Sequence, residues 1–240
     1  MLEKYFKHLK WDSSFFEYKI AQIKNNEITE NTLSSVINFL KESGYKLLVW
    51  KIPSENKNSF EFAKKNKGTL VDEKTTFTIQ TDKIPTSFNY SEIIEYPYKE
   101  VNNELLNLAL ESGEFSRFKI DLNFKENEFE KLYTKWIERS VKKEIAEKVF
   151  VYLLNNKIIG MITLNKINGL GLIGLIAVNK DHRGLNIGKK LIQKAISYFY
   201  SVNVTSLEVV TQAKNKPACS FYEKCNFKVK EIECVFHFWL

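Results

Sequence analysis

Apolar positions along this chain switch repeatedly between strict alternation and the three-to-four spacing of an amphipathic helix, which predicts a mixed α/β protein. In the first third, Trp11–Tyr18 leads into a strand over Lys19–Ile23. Leu33, Val36, Ile37 and Leu40 then make the stripe of a helix that Thr29 or Asn31 caps and Gly44 stops. A strand over Lys46–Ile52, a helix over Glu55–Asn66 and a strand over Thr69–Gln80 complete a β-α-β-α-β order, which predicts partly parallel pairing. Thr81–Asn89, with Pro85, reads as a linker, so the chain divides into a smaller N-terminal α/β unit (1–85) and a larger one (91–240). In the larger unit, helices are expected over Glu100–Leu110 and Glu128–Val141, with Glu114–Asp121 between them as a loop. Lys148–Leu154 and Lys157–Leu164 flank Asn155-Asn156, a hairpin turn of the kind that needs positive φ. The apolar run Gly171–Val178 suits one buried strand, and Leu191, Ile192, Ala195, Ile196 and Phe199 mark the helix after it. A strand over Thr205–Thr211, a helix over Asn215–Lys224 and a strand or hairpin over Phe227–Leu240 close the pattern.

The stretch between the buried strand and its helix carries the first chemical signal. His182-Arg183-Gly184-Leu185-Asn186-Ile187-Gly188-Lys189 is basic and contains two glycines. The first amides of a helix lack internal partners and the helix dipole is positive there, so such a turn suits a phosphate or pyrophosphate, with Arg183, Lys189 and Lys190 adding charge. The same turn would also serve as a plain tight connection, and by itself it leaves both uses open. It matches neither Gly-x-x-x-x-Gly-Lys-Ser/Thr nor Gly-x-Gly-x-x-Gly, so a nucleotide P-loop and a Rossmann fingerprint fit poorly.

Composition narrows the partners. A net charge of +7 over 240 residues favours anionic ligands, while the lysines are spread without a basic arm or helix, which argues against nucleic acid. The three cysteines, Cys219, Cys225 and Cys234, contain no Cys-x-x-Cys, so neither a disulfide framework nor zinc is expected, and no metal is assigned. Met1–Lys10 lacks the apolar core of a signal peptide, and no run approaches the roughly 20 apolar residues of a membrane span, so a cytoplasmic location is expected.

Two motifs point to a family. Arg183-Gly184-Leu185-Asn186-Ile187-Gly188 resembles the acyl-CoA signature of the GNAT acetyltransferases, Arg/Gln-x-x-Gly-x-Gly/Ala. Downstream, Asn215-Lys216-Pro217-Ala218-Cys219-Ser220-Phe221-Tyr222-Glu223-Lys224-Cys225-Asn226-Phe227 resembles the family's Asn-x-x-Ala-x-x-x-Tyr run. Asn186 and Asn226 stand where glycine is usual, and asparagine is the other residue that readily adopts left-handed backbone angles. Three further stretches, Trp11–Phe16, Ser116–Asp121 and Tyr133–Ser140, look like the dTDP-fucosamine acetyltransferase branch, whose members join a reduced N-terminal α/β unit to the GNAT domain.

The resemblance implies a fold, a co-substrate and roles. The fold is the GNAT acyl-CoA N-acyltransferase fold, and the co-substrate is acetyl-CoA. Ile176, Ala177 and Val178 would pair with the pantetheine, Arg183–Lys189 (with Leu185, Asn186, Ile187 and Gly188) would hold the pyrophosphate, and Asn215 would contact the pantetheine arm. Tyr222, a phenol protonated at neutral pH, would be the general acid for the departing thiolate, and it shares a helical face with Asn215. Arg117 either clamps a substrate phosphate or pairs with Asp121. Glu208, His182 and His237 are the candidates for a general base, but none is assigned, since a sugar amine of modest pKa would need only a chain of water. The implied acceptor is a nucleotide-linked (dTDP) 4-amino-4,6-dideoxyhexose. The alternatives are another amine (a peptide N-terminus, a polyamine or an antibiotic) or a CoA-binding module without catalysis. The aromatic C-terminal strand would be either core or an edge that pairs two subunits into a homodimer.

Overall fold

Strands from both halves of the chain enter a single mixed sheet. The structure is a computed structural model that describes residues 2–24, 28–81 and 90–240; most of the expected linker lies outside them. The strands are β1 (Phe6–His8), β2 (Lys19–Ile23), β3 (Tyr45–Pro53), β4 (Thr69–Gln80), β5 (Ile93–Glu95), β6 (Lys148–Leu154), β7 (Lys157–Ile167), β8 (Leu170–Val178), β9 (Ser206–Gln212) and β10 (Lys228–Trp239). Their order across the sheet is β1-β2-β3-β10-β4-β9-β8-β7-β6-β5. The helices are α1 (Lys10–Phe16), α2 (Glu30–Glu42), α3 (Lys57–Lys65), α4 (Asn103–Ser112), α5 (Arg117–Ile120), α6 (Glu128–Val141), α7 (Ile187–Ser201) and α8 (Lys216–Lys224).

Local chemistry explains the main boundaries. Thr29 Oγ1 accepts from the Thr32 amide to start α2, and Asn215 Oδ1 accepts from the Ala218 amide to start α8, with Pro217 inside the first turn. Asn155 and Asn156 take φ of 51° and 60°, the left-handed pair that a two-residue turn between β6 and β7 demands.

Alternation along the strands builds the core on both faces. In β8, Ile173, Ile176 and Val178 face α7 and α8, while Leu175 and Ala177 face α4 and α6. In β10, Cys234, Phe236 and Phe238 pack with α2 and α3, and Val235 packs with Phe16, Phe118 and Leu132 of α1, α5 and α6.

The structure departs from the sequence expectations in several places. β2 and β3 are parallel as expected, but β4 does not pair with β3: β10 lies between them, antiparallel to both. The C-terminal strand is therefore internal core and offers no edge for pairing subunits. Trp11–Phe16 lies in a helix, and Arg117–Ile120 forms one helical turn inside the expected loop. The short strands β1 and β5 carry too few residues to show a period.

Candidate active site

The site is built where two neighbouring parallel strands part. β8 and β9 pair only over Gly171–Ile173 and Leu207–Val209, although β8 runs on to Val178 and β9 to Gln212. Beyond Ile173, β8 stays paired only with β7, through Ile162–Ile176, Met161–Ala177 and Gly160–Val178. A bulge at this point sets Gly174 and Leu175 opposite the single residue Thr163, whose Oγ1 accepts from the Leu175 amide at 2.8 Å. A side chain at residue 174 would place its Cβ 2.8 Å from that same oxygen, which accounts for Gly174.

Into the gap opens a cleft of about 780 Å³. Its floor is Ile176, Ala177 and Val178, one wall is the turn and start of α7, and the other is α8 with Asn215, Phe221 and Tyr222. Glu111, Ser112, Glu114 and Phe115, at the end of α4 and just beyond it, close the remaining side. Gly184 has φ of +84° and Asn186 of 60°, so the turn needs left-handed angles at two positions, and asparagine supplies the second. Asn186 makes no side-chain capping bond to α7. The helix amides therefore face the cleft without a competing side-chain acceptor. Gly188 lets α7 approach α8, since a Cβ there would lie 3.1 Å from the Phe221 ring.

The sequence-predicted residues mostly converge here: Ile176–Val178, Arg183, Gly184, Asn186–Lys189, Asn215 and Tyr222 all line the cleft. Leu185 does not line it and is 60% exposed. The Arg183 guanidinium is held at the mouth, with Nε donating to the Val178 carbonyl at 3.1 Å and an η-nitrogen to Glu111 Oε2 at 3.2 Å. Lys190 is withdrawn from the turn: its ammonium donates to Tyr152 and pairs with Glu92 at 3.3 Å. Tyr222 is 4% exposed, its ring packed against Phe77, Phe221 and Phe227, and burial drives its phenol well above the ordinary range. It stays protonated at any working pH.

The groups weighed as bases fall elsewhere or are engaged. Glu208 Oε1 pairs with Lys230 at 2.7 Å and lines a separate 320 Å³ pocket over Thr163 and Gly174. His182 lines the cleft, with Nδ1 3.1 Å from Asn179 Oδ1. His237 is 1% exposed inside the sheet, 2.6 Å from Asp121 Oδ2. Asp121 Oδ2 also accepts from Trp239 Nε1 and Oδ1 accepts from Asn123, so Asp121 does not pair with Arg117. Burial alone would raise the Asp121 carboxyl, but these donors hold it well below the ordinary range.

Arg117 lies outside the cleft lining, on the α5–α6 face of the sheet. Its guanidinium stacks 4.3 Å from the centre of Phe118, and its buried Nε has no hydrogen-bond partner. Around it stand Asp12, Lys51 and Asp72, of which Lys51 and Asp72 belong to no recognisable motif. A charged run in mid-strand, Asp72-Glu73-Lys74, was the available signal.

Comparison with known proteins agrees with this geometry. Residues 108–227 match the model of the Acetyltransferase (GNAT) family. Streptothricin acetyltransferase A of Bacillus subtilis is 33% identical over 120 residues, 48% of this chain and 69% of that protein. N-alpha-acetyltransferase 30 of Schizosaccharomyces pombe is 28% identical over 100 residues, 40% of this chain and 67% of that one. Among solved structures, a GCN5-related N-acetyltransferase from Sphaerobacter thermophilus superposes with a TM-score of 0.64 at 14% identity, covering 98% of this chain and 76% of that chain. The two curated relatives align with no more than half of this chain, whereas that likeness of fold runs through nearly all of it. The parted strands, the helix-terminal turn and the matched residues place the chain in the Acetyltransferase (GNAT) family, as an N-acetyltransferase.

Proposed function

We propose that the cleft binds acetyl-CoA and that the enzyme transfers the acetyl group to the 4-amino group of a dTDP-linked 4-amino-4,6-dideoxyhexose. The observation that carries the transfer step is the parting of β8 from β9 above the open end of α7, with Tyr222 in the wall. In this reading the unpaired edge of Ile176–Val178 hydrogen-bonds the pantetheine, and the amides of the 184–189 turn, with Lys189, hold the pyrophosphate. The neutral amine attacks the thioester carbonyl, forming the C–N bond as the C–S bond breaks. A strand amide stabilises the developing oxyanion, the Tyr222 phenol delivers its proton to the CoA sulfur, and the proton lost from the attacking nitrogen passes through water in the open cleft and restores the phenol.

The acceptor class is supported by the way three separate stretches meet. Phe16 stacks on Phe118 at 5.7 Å, Phe118 meets Trp136 edge-on at 6.0 Å, and the Arg139 guanidinium lies 5.6 Å from the Trp11 ring. Trp11–Phe16, Ser116–Asp121 and Tyr133–Ser140, the segments that resemble the sugar-nucleotide branch, thus share one wall on the face opposite α7 and α8. In this arrangement the N-terminal unit (1–85) shapes the acceptor side and the 91–240 unit carries the acetyl-CoA side. The streptothricin acetyltransferase relative favours a second reading, in which the acceptor is an antibiotic amine.

Thiol release from acetyl-CoA, measured against dTDP-4-amino-4,6-dideoxyhexoses, 3-aminosugars, streptothricin, polyamines and peptides, separates the two. Turnover confined to the dTDP sugars supports the first reading; turnover only with streptothricin, polyamines or peptides refutes it. Tyr222→Phe is expected to lower kcat by about 100-fold or more with little change in KM for acetyl-CoA.

A further inference from the structure

Four charged side chains meet on the α5–α6 face without pairing. Asp12 comes from α1, Lys51 from β3, Asp72 from β4 and Arg117 from α5, and each acts electrostatically on at least one of the others. Among the described residues, none of the four forms an ion pair within 4.0 Å; the neighbouring Lys74 is already bound to Glu233 at 2.6 Å. Asp72 reaches this face through a bulge. β10 pairs Val235 with Asp72 and Phe236 with Leu70, so Val71 is the extra residue, and both Val71 and Asp72 turn toward α5. The result is a carboxylate 4% exposed among valines and phenylalanines, with Oδ1 lacking any partner, facing a guanidinium whose buried Nε also lacks one.

A buried polar atom without a partner is costly, and two of opposite kind on facing groups point to a ligand that satisfies both. The charges decide its class. Among these four, the cations Lys51 and Arg117 balance the carboxylates Asp12 and Asp72, while the exposed Lys7 acts on Asp12 and Lys51 from outside the buried group. An anion would meet both carboxylates and an ammonium both cations, whereas a hydroxyl donates to one partner and accepts from the other. The place adjoins the cleft: Glu114 and Phe115 line it and run directly into Ser116 and Arg117, and Leu175 of the β8 bulge packs into the same cluster as Phe118.

We propose that Asp72 and Arg117 are acceptor-binding residues that hold the hydroxyls of a neutral sugar ring, with Asp72 Oδ1 accepting from a hydroxyl and Arg117 Nε donating to one. This assignment rests on the sugar-acceptor reading above and adds to it the residues that select the ring.

The test is calorimetric titration of CoA-saturated enzyme with dTDP-glucose and, separately, with dTDP, so that the difference reports the sugar alone. Wild type is expected to bind dTDP-glucose about tenfold or more tightly than dTDP. Asp72→Asn and Arg117→Lys should each reduce dTDP-glucose to the dTDP level while CoA affinity is unchanged. Lys51→Met, at a half-buried position that keeps its aliphatic stem, should do so in part and guards against misfolding of the buried variants. Equal binding of dTDP-glucose by wild type and all three variants overturns the assignment and leaves the acetyltransferase reading standing. So does a wild type that gains nothing from the sugar while still releasing thiol with an amine.

Discussion

Replacing Asp72 with Asn is expected to stabilise the fold while weakening the enzyme. Burial raises the Asp72 carboxyl from 3.8 to about 6, even though Arg117 and Lys74 pull the other way. The folded-state value lies above the unfolded one, so the protonated acid contributes stability that is complete below pH 3.8 and is lost as pH rises through about 6. About two pH units correspond to about 3 kcal/mol at roughly 1.4 kcal/mol per unit. Asparagine mimics the protonated acid in shape and charge, so the variant avoids that loss. At pH 7.5 it should melt higher by roughly 5–10 °C for a chain of this size, and at pH 4 the two proteins should melt together. Thermal melts of both proteins at pH 4, 5, 6 and 7.5 provide the check. An advantage independent of pH, or a variant less stable than wild type at pH 7.5, would refute the placement of an ionised, unpaired carboxylate in that face. A stabilising substitution that costs function is also what a binding group held unpaired for a ligand predicts.

Other consequences are as direct. Glu111→Gln releases Arg183 from its 3.2 Å pair at the cleft mouth, and acetyl-CoA should bind roughly two- to fivefold more tightly by titration, an effect that fades with salt. Gly184→Ala places a side chain at φ +84°, where its Cβ meets nothing within 4 Å, so the strain of about 1 kcal/mol should appear as a raised KM for acetyl-CoA with little loss of fold. Asp121→Asn removes the charge that accepts from His237 and Trp239 and should cost about 2 kcal/mol in urea unfolding at pH 7. Because the Asp121 carboxyl is depressed, its contribution is present above 3.8 and lost as pH falls below, so the deficit should narrow in acid. Deleting residues 1–85 strips β10 of both neighbours, β3 and β4, and the remainder is expected to aggregate; a soluble, acetyl-CoA-binding 91–240 fragment would refute that.

The acetyl-CoA side of the molecule was legible because its determinants are local in sequence. A strand, a turn with left-handed angles and a helix start lie within Gly171–Lys189, and Asn215 caps the short helix that carries Tyr222, so both family motifs are continuous in sequence, although the turn by itself leaves its use open. Even there, residues invisible to spacing engage the basic side chains: Glu111 reaches Arg183 from 72 positions away, and Glu92 holds Lys190 from 98. The residues proposed to bind the acceptor are non-local throughout. Asp12, Lys51, Asp72 and Arg117 come from four elements within the first half of the chain, and the two strands among them, β3 and β4, are separated by β10. Alternation along Thr69–Gln80 identifies a strand but not the face of Asp72, because the bulge at Val71 shifts the phase by one residue. One irregular residue thus turns a carboxylate that alternation would have aimed at α2 and α3 toward Arg117. The pairing partner that makes the bulge, Val235, lies 163 residues downstream of Asp72. If that wall binds the acceptor as proposed, α1, α5 and α6 can vary around such a group without touching the strand, turn and helix that line the cleft.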